Sequence, residues 1–325
     1  MDIESMNFYG LDKRLDSADY FETENFQTML KNIKKSISFG GIIALTGIIG
    51  MGKTVTLRRL QQALRDEKEN KIIISRSLAS DRKQVTINTL YNALFTDLAT
   101  KKDGKIPTQA EKRERKFQAM LKEINKPIAF FIDEAHNLHP RTMISLKHLV
   151  ETAQDARGTL AIVIVGHPKL ANDLRNPVHE EVGARTIIFE LNTLGVNSAK
   201  FIEWLFSNCS KDKIKPHDIM TKEAIELFAD RLITPLQITH YLMRALEKGF
   251  QLGEKPITLE TAKSVLSPDL NELEPKLIRH GYGMSVLCDY FNVRRSEMKA
   301  YFRGQLPPHR QDEINKEVQK LGILV

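Results

Sequence analysis

One glycine-rich segment constrains this chain more than any other feature. Residues 47–54 read Gly-Ile-Ile-Gly-Met-Gly-Lys-Thr and fit G-x-x-x-x-G-K-[ST], the pattern of a phosphate-binding loop, or P-loop. An apolar run at 42–45 predicts a buried strand before the loop, and a helix-forming run at 55–64 comes after it. In this order, backbone N–H groups and a helix N-terminus can surround a phosphate. The segment therefore predicts a nucleotide site.

The residues of the loop have separate expected roles. Its glycines allow the backbone to curl so that N–H groups point at phosphate oxygens. The lysine is expected to reach the β- and γ-phosphates, and the threonine to hold Mg²⁺. The nucleotide contacts predicted in this region are Gly47, Gly50, Gly52, Lys53, Thr54 and Val55, with Thr54 also a metal ligand.

A second motif indicates what happens to the nucleotide. Residues 127–136 read Pro-Ile-Ala-Phe-Phe-Ile-Asp-Glu-Ala-His, a short apolar strand that ends in two adjacent carboxylates, as in a Walker B motif. Asp133 is expected to meet Mg²⁺, and Glu134 to orient or deprotonate the attacking water. The alternative is a strand whose last residues simply reach solvent. After a P-loop, this acidic pair favours a hydrolysing ATPase over a kinase.

Apolar runs that alternate with amphipathic helices predict an α/β fold with a parallel five-stranded sheet covered on both faces. A ligand is then expected at the carboxyl ends of the strands, where the P-loop and the acidic pair both fall. The predicted strands are 42–46, 71–75, 128–132, 160–165 and 186–190, and the predicted helices lie near 53–66, 84–99, 109–124 and 141–155.

From residue 195 onward the strand signal disappears and helical periodicity dominates. We therefore expect a helical lid and then, after a Pro- and Asn-containing linker, a small all-α module. The predicted domains are an N-terminal entry segment that packs on the core (1–40), an α/β ATPase core (41–193), the helical lid (194–268) and the C-terminal helix-turn-helix-like module (269–325).

Composition excludes several classes of protein. The chain has 325 residues, of which 42% are apolar and 27% charged, as in ordinary globular proteins. Its longest apolar runs, 128–132 and 160–165, are far too short to cross a bilayer, so no membrane partner is expected. Cys209 and Cys288 lack metal-ligand spacing and are expected to be free thiols in a reducing cytoplasm. The net charge of +7 permits nucleic-acid binding without proving it.

Two further polar residues are candidates for catalysis. His167 comes after the strand predicted at 160–165 and is placed to sense the γ-phosphate, unless it is a loop histidine without a role. Arg185 comes immediately before the predicted edge strand, where an arginine finger would project into the ATP of a neighbouring subunit. Arg175 is the second choice for that role. A surface arginine without a catalytic role is the alternative for both.

Five segments in this order resemble the AAA+ ATPases of transposition modules, the TnsC, TniB and MuB-type target selectors, and the related ExeA-like group. They are GIIGMGKT, FFIDEAH, VIVGHPKL, EEVGARTIIFEL and TPLQI, and the similarity covers roughly 8–266. The resemblance implies an ATP-dependent homo-oligomer, a ring or a helical filament, on double-stranded DNA. It further implies recruitment or activation of a DDE-type transposase, a target-site adaptor protein as another partner, and a bacterial cytoplasmic location, nucleoid-associated when on DNA. It also places Tyr20 and Phe21 near the adenine.

The sequence departs from this resemblance at two places. Many AAA+ lids carry a sensor-2 arginine near the start of a lid helix, and here Gln237 stands near that place. Arg231 or Arg244 could substitute for it. Met51 replaces the small residue that is usual before Gly52. Both changes are compatible with ATP binding and bring the rate of hydrolysis into question.

Basic residues suggest DNA contacts in two regions. In 285–304 a helix ending near Phe291, a turn and a second helix have helix-turn-helix character, and basic residues would line one side of the second helix. A hairpin with a solvated face, or a docking surface for a protein, is the alternative. Basic clusters between the second and third strands could line a DNA groove or be solvated faces. The candidates are Arg82, Lys83, Lys101, Lys102, Lys105, Arg294, Arg295, Lys299 and Arg303.

Three functions are compatible with these features. The first is a transposition ATPase that assembles on DNA. The second is an ExeA-like secretion ATPase, a group that pairs a similar ATPase with a membrane span and a cell-wall-binding part, neither of which is expected in these 325 residues. The third is a nucleotide-gated regulatory switch that binds a protein through 276–325. A nucleotide-binding scaffold that does not hydrolyse ATP is a further alternative.

Overall fold

A computed structural model gives the fold of the chain. It describes residues 1–66, 73–74, 78–79, 85–98, 106–176, 180–211, 214–266 and 272–323. The chain folds into two compact units. The first unit consists of Met1–Thr23, Ile49–Gly52 and Asn192–Val325, and the second of Glu24–Ile48 and Lys53–Leu191.

The second unit is built on one parallel sheet, in the order β2-β4-β5-β1-β6, with β3 also paired to β4. The strands are β1 (Gly41–Gly47), β2 (Ile73–Ile74), β3 (Leu78–Ala79), β4 (Ile128–Asp133), β5 (Leu160–Gly166) and β6 (Thr186–Leu191).

The α-helices of the two units number seventeen among the described residues. They are α1 (Ile3–Tyr9), α2 (Glu24–Phe39), α3 (Lys53–Asp66), α4 (Ile87–Leu98), α5 (Ala110–Ile124), α6 (Pro140–Asp155), α7 (Pro168–Arg175), α8 (Glu180–Gly183), α9 (Ser198–Cys209), α10 (Pro216–Ile219), α11 (Lys222–Arg231), α12 (Pro235–Leu252), α13 (Leu259–Val265), α14 (Leu273–Arg279), α15 (Met284–Phe291), α16 (Arg295–Phe302) and α17 (Pro308–Lys320).

The predicted number of full strands needs correction. Four predicted strands are confirmed as β1, β4, β5 and β6, each six or seven residues long. Of the strand predicted at 71–75, the described residues 73–74 form β2, and β3 at 78–79 pairs with a later part of β4. The sheet therefore has four full strands and two short ones. A run of isoleucines predicts a strand from local preference alone, but the residues that pair with β4 are determined by tertiary contacts.

Continuous apolar runs form the central strands because both faces of the sheet are covered. Every residue of β4 and β5 is buried. Alternate side chains enter two different cores: Phe130 packs with residues of α4, α5 and α6, whereas Phe131 packs with residues of α2 and α3. A parallel sheet between two helical layers is the α/β arrangement that the sequence predicts.

The register of the central strands brings their carboxyl ends to one edge. Thr46 of β1 lies beside Gly166 of β5, and Ile132 of β4 lies beside Ile164 of β5. The residues directly after these strands therefore meet at the same edge of the sheet. They are the first part of the P-loop, the acidic pair and His167.

The first unit is helical and has two separate apolar cores. One core joins α1 to α9, α11, α12 and α13, and includes Tyr9. The other lies within the four C-terminal helices and includes Met298 and Tyr301. The long helix α12 begins where Thr234 accepts a hydrogen bond from the backbone N–H of Gln237 (3.3 Å) and ends at Gly253 in the left-handed conformation.

The two units group the residues differently from the four predicted domains. Residues 1–23 lie in the first unit, whereas α2, which belongs to the same predicted entry segment, lies in the second. Residues 267–271 of the predicted linker lie outside the described residues, and 273–275 already belong to α14. None of the helices in the described ranges has the length and apolar character that crossing a bilayer requires.

Candidate functional site

Glycine is required at specific positions of the P-loop. Gly50 and Gly52 have φ angles of 88° and 85°, in the left-handed region that side chains with a Cβ rarely adopt. A Cβ on Gly47 would lie 2.9 Å from Cβ of Leu191 at the end of β6. The loop is therefore held in a curled conformation that other residues would resist.

Lys53, the first residue of α3, is buried at the carboxyl end of β1 with 7% of its surface exposed. Its ammonium group donates hydrogen bonds to the carbonyl oxygens of Gly47 (2.9 Å) and Ile48 (3.2 Å) and lies 3.3 Å from Nδ1 of His167. Burial lowers the pKa of Lys53, and the charges of Glu134 and Asp133 act in the opposite direction. A buried cation held by carbonyl oxygens is well placed to exchange them for phosphate oxygens.

Thr54 and Asp133 meet although they lie far apart in sequence. The hydroxyl of Thr54 donates to Oδ2 of Asp133 over 3.1 Å, and Oδ1 of the same carboxylate accepts the backbone N–H of Glu134 over 2.9 Å. Asp133 is 9% exposed. A hydroxyl beside a carboxylate is the oxygen donor set that Mg²⁺ prefers, so these two residues fit the metal expected with ATP.

Glu134 has an unusual backbone conformation. Its φ and ψ angles are 54° and 33°, in the left-handed region, which costs a residue with a Cβ about 1–2 kcal/mol. Its carboxylate Oε2 lies 3.3 Å from Nε2 of His136 and 4.0 Å from Nε2 of His167. The strained backbone therefore turns the carboxylate towards two imidazole rings.

The two histidines form a pair that the sequence did not predict. The ring centroids of His136 and His167 lie 3.9 Å apart. Burial lowers the pKa of His136 to about 4, with further contributions from Lys53 and Lys169. Burial also lowers the pKa of His167 to about 3, together with the positive charge that His136 and Lys53 would present. Both rings are therefore neutral at neutral pH. The sequence signal for His136 was its place two residues after Glu134.

Arg185 lies away from this cluster, at the other end of the sheet. Arg185 precedes β6 at the amino end of the sheet, forms an ion pair with Glu151 of α6, and has a side chain that is 59% exposed. Its position along β6 is about 20 Å from the P-loop end of the sheet, at ~3.3 Å per residue. Arg175 is 65% exposed and lies 3.7 Å from Glu190. Arg185 therefore does not reach the P-loop of its own chain, whereas the partner of Arg175 lies beside Thr46, directly before the P-loop.

The aromatic residues expected near the adenine belong to the first unit. The ring of Phe21 lies 5.4 Å from that of Phe201 and 5.3 Å from that of Trp204. Tyr20 is half-buried. In the second unit, Val55 is 45% exposed on the first turn of α3. The roles of these three residues in nucleotide binding stay predictions.

The tip of the P-loop has hydrogen-bond partners within the first unit. Ile49 donates its backbone N–H to the carbonyl of Arg279 (2.9 Å), and Gly50 accepts from the backbone N–H of Leu236 (3.2 Å). Met51, which replaces a small residue, is buried with 7% of its surface exposed. In this conformation the backbone N–H of Ile49 therefore already donates a hydrogen bond to a carbonyl oxygen.

The residues considered for sensor 2 have other contacts. The side chain of Gln237 accepts the backbone N–H of Ile233 over 3.3 Å and so supports the start of α12. The guanidinium of Arg244 lies 5.4 Å from the ring centroid of Tyr241, a cation–π distance. Arg231 is exposed at the end of α11. A contact between any of these three residues and a nucleotide stays a prediction.

Four of the nine predicted DNA contacts lie within the described residues. Arg294, Arg295, Lys299 and Arg303 are exposed in and around α16, which comes after α15 and a turn at Asn292 in the left-handed conformation. The helix-turn-helix interpretation of these two helices stays a prediction. The other five, Arg82, Lys83, Lys101, Lys102 and Lys105, lie outside the described residues.

Comparisons with solved structures support the fold. The Cdc6p structure from Pyrobaculum aerophilum has a TM-score of 0.55 and 15% identity, and the match covers 98% of this chain and 90% of that chain. For the ORC2 protein of Aeropyrum pernix the TM-score is 0.57 and the identity 11%, and the match covers 97% of this chain and 89% of that chain. For Drosophila ORC bound to DNA the TM-score is 0.52 and the identity 15%, and the match covers 97% of this chain and 82% of that chain. At these identities the likeness concerns the fold alone.

Comparisons of sequence match part of the chain rather than its whole length. The General secretion pathway protein A of Aeromonas hydrophila is 30% identical over 148 residues, which are 45% of this chain and 26% of the relative. The chain thus spans about a quarter of that relative's length. A family model described as an AAA domain matches residues 37–174, which include the P-loop, the acidic pair and His167. Residues 37–174 therefore match an AAA domain, and their P-loop and α/β fold agree with that match.

Proposed function

We propose that this chain binds MgATP at the P-loop and hydrolyses it. The observation that carries the proposal is the meeting of three groups at one edge of the sheet. They are the buried ammonium of Lys53, the pair formed by Thr54 and Asp133 at 3.1 Å, and the carboxylate of Glu134. Each has the chemistry that one part of phosphoryl transfer needs.

Lys53 and Thr54 would bind and orient the triphosphate. The ammonium of Lys53 would exchange the carbonyls of Gly47 and Ile48 for β- and γ-phosphate oxygens. Thr54 and Asp133 would hold Mg²⁺, whose charge offsets that of the phosphates when it is bound. Burial of Lys53 strengthens its interaction with the phosphates, because few water molecules compete.

Glu134 would activate the water. Its carboxylate would accept a proton from the water as the oxygen bonds to the γ-phosphorus, while the bond from that phosphorus to the β–γ bridging oxygen breaks and ADP leaves. Neutral His167, which lies 4.0 Å from Glu134, would donate a ring N–H to a γ-phosphate oxygen. In an oligomer, Arg185 of a neighbouring copy would supply the remaining positive charge.

We further propose that duplex DNA is the ligand that controls this ATPase, as in a transposition module where the DNA-bound oligomer recruits a DDE-type transposase. Two observations support this proposal: the four exposed basic residues in and around α16, and the net charge of +7. In addition, one of the structures that share the fold is an ORC bound to DNA.

A secretion-associated ATPase is the second candidate. The observation in its favour is the 30% identity to the General secretion pathway protein A. In that case the ATPase would be controlled by a protein partner, and DNA would have no effect on turnover. The two candidates therefore differ in a quantity that is simple to measure.

The test is ATP hydrolysis with Mg²⁺, measured with and without duplex DNA at about 50 and 200 mM salt, a range over which phosphate contacts weaken strongly. The DNA proposal predicts stimulation that fades with salt and is lost in the double variant R294A/R295A. The variant K316A, in which a lysine of the same module is removed, is the matched control and should keep the stimulation. Turnover indifferent to DNA would favour a protein partner, and absence of Mg-dependent turnover in every condition would contradict the ATPase itself.

A further inference from the structure

One group of side chains beside the P-loop offers nitrogen ligands for a metal ion, which the binding of Mg²⁺ with ATP does not require. The carboxylate of Glu134 and the imidazole rings of His136 and His167 each offer one ligand atom, and these three atoms lie within 4.8 Å of one another. All three side chains are half-buried. Two nitrogen donors and one carboxylate oxygen are a ligand set of Zn²⁺ sites with an open fourth position.

The distances agree with binding to a single ion. In a tetrahedral site with ligand bonds of about 2.0–2.1 Å, neighbouring donor atoms lie about 3.3–3.4 Å apart. Oε2 of Glu134 lies 3.3 Å from Nε2 of His136, which already matches. It lies 4.0 Å from Nε2 of His167, and all three ligand atoms lie within 4.8 Å of one another, so side-chain rotation has to bring His167 closer to the other two donors.

The two rings differ in the availability of their donor atoms. The ammonium of Lys53, 3.3 Å from Nδ1 of His167, can only donate, which favours the tautomer with the proton on Nε2, so a metal ion has to displace that proton. Nδ1 of His136 has no hydrogen-bond partner among the described residues, so no hydrogen bond there fixes the tautomer that faces Glu134.

Backbone geometry holds the donors in place. Glu134 has the left-handed conformation that turns its carboxylate back, and His136 lies in the short 3-10 helix that comes next. His167 comes directly after the buried strand β5, next to β4, and precedes α7. The positions of all three donors are thus set by two central strands of the sheet, as a metal site on a rigid scaffold requires.

We propose that Glu134, His136 and His167 form an inhibitory binding site for Zn²⁺ or a similar divalent transition metal, distinct from the Mg²⁺ position at Thr54 and Asp133. Bound there, the ion occupies the carboxylate that the proposed function assigns to water activation, so hydrolysis stops while nucleotide can still bind. Imidazole donors favour Zn²⁺ over Mg²⁺, so millimolar Mg²⁺ does not displace it. The inhibition rests on the proposed function, whereas the metal binding does not.

The charge of Lys53 sets the strength of the site. Its ammonium lies 3.3 Å from Nδ1 of His167 and repels a cation at the opposite side of that ring. Affinity is therefore expected to be lower than in structural zinc sites, and to increase when this charge is removed. A role of the cluster in packing alone would not produce this dependence.

The test is isothermal titration of Zn²⁺ into the chelator-treated, nucleotide-free chain in about 5 mM Mg²⁺, an excess chosen to occupy weak oxygen sites. We expect one Zn²⁺ per chain. H136Q and H167Q should weaken binding by at least about tenfold, as loss of a ligand does, and K53M should strengthen it several-fold. The matched control is H148Q, because His148 also lies beside a single glutamate, Glu114, at 3.0 Å.

The outcomes separate the two proposals. Equal Zn²⁺ affinity in the wild type, H136Q and H167Q would overturn the metal site, as would weakening in H148Q of the same size. Thermal unfolding of each variant checks that the fold is retained, and K53M tests the site without removing a donor. Zn²⁺ binding with these dependences in a chain that hydrolyses no ATP would support the site and contradict only the proposed ATPase.

Discussion

The centre and the edge of the sheet differ in how their polar residues are fixed. At the carboxyl ends of β1, β4 and β5, the ammonium of Lys53 and the carboxylate of Asp133 lie at the ends of strands that are almost fully buried. At the amino end of the edge strand β6, Arg185 is 59% exposed and its partner is Glu151 on a helix surface. The residues of β6 are themselves only partly buried or exposed.

This difference explains which roles can operate within one chain. Buried strands fix the direction and the register of the residues directly after them, so groups far apart in sequence meet at the P-loop. Arg185 lies at the opposite end of the sheet and can act only on a nucleotide held by another copy. The centre is therefore proposed to be complete within one chain, whereas a catalytic role of Arg185 would require an oligomer.

The largest expected effect is on ATP turnover and tests the role of Arg185 at the edge of the sheet. If Arg185 is an arginine finger, R185A should lower turnover by about 10³-fold or more, while the affinity for ATP stays within about twofold because the residue is remote from its own P-loop. The measurement is steady-state ATP hydrolysis beside equilibrium nucleotide binding. E151A, which removes its ion-pair partner, is the control and should have little effect. Unchanged turnover in R185A would make Arg185 a surface residue.

The next effect tests whether the centre is held by packing. Phe130 is fully buried in β4, and F130A should lower the free energy of unfolding by about 3–5 kcal/mol because it leaves a cavity. I187A on β6, where the side chain is 50% exposed, should cost about 1 kcal/mol. Denaturant unfolding measures both. Similar costs for the two variants would remove the contrast between the centre and the edge.

A smaller effect is expected for the phosphate contact of the centre. K53A should weaken ATP binding by about 10–100-fold, since a hydrogen bond to a charged group contributes about 1.5–3 kcal/mol. Equilibrium binding of a fluorescent ATP analogue measures it. K34A, which removes a lysine of α2, is the control and should bind like the wild type. Equal affinity in K53A would show that the phosphates bind elsewhere.

The smallest effect concerns the two thiols of the first unit, where we compare the reactivity of a buried cysteine with that of a partly exposed one. Cys209 is fully buried, and burial raises its pKa to about 11, so only about 0.1% is thiolate at pH 8. Cys288 is partly exposed. Alkylation at pH 8, with mass spectrometry as the readout, should modify one thiol in the folded chain and two after denaturation. Rapid modification of Cys209 in the folded chain would contradict its burial.

The sequence was sufficient for the features that local patterns determine. The apolar runs of β1, β4, β5 and β6 predict the full strands, and the glycine spacing predicts the curled loop before Lys53. The meeting of Thr54 and Asp133 is expected because parallel strands present their carboxyl ends at one edge. These inferences need only periodicity and chain direction.

Other features depend on tertiary contacts that no local pattern contains. The run at 71–75 predicts a strand, but the pairing of 73–74 and of 78–79 with two different parts of β4 depends on the tertiary structure. His136 was missed because its importance arises from the ring of His167, 3.9 Å away at the end of the next strand. The ion pair of Arg185 with Glu151 likewise depends on how α6 packs in the second unit.

The most direct test of the account is a paired measurement of ATP binding and single-turnover hydrolysis in the wild type and E134Q. Glutamine keeps the size of the side chain and removes the group that accepts the proton. The account predicts that E134Q binds MgATP with nearly wild-type affinity and hydrolyses it about 10²–10⁴-fold more slowly. Hydrolysis at the wild-type rate in E134Q, with ATP bound, would contradict the assignment of Glu134 and with it the proposed mechanism.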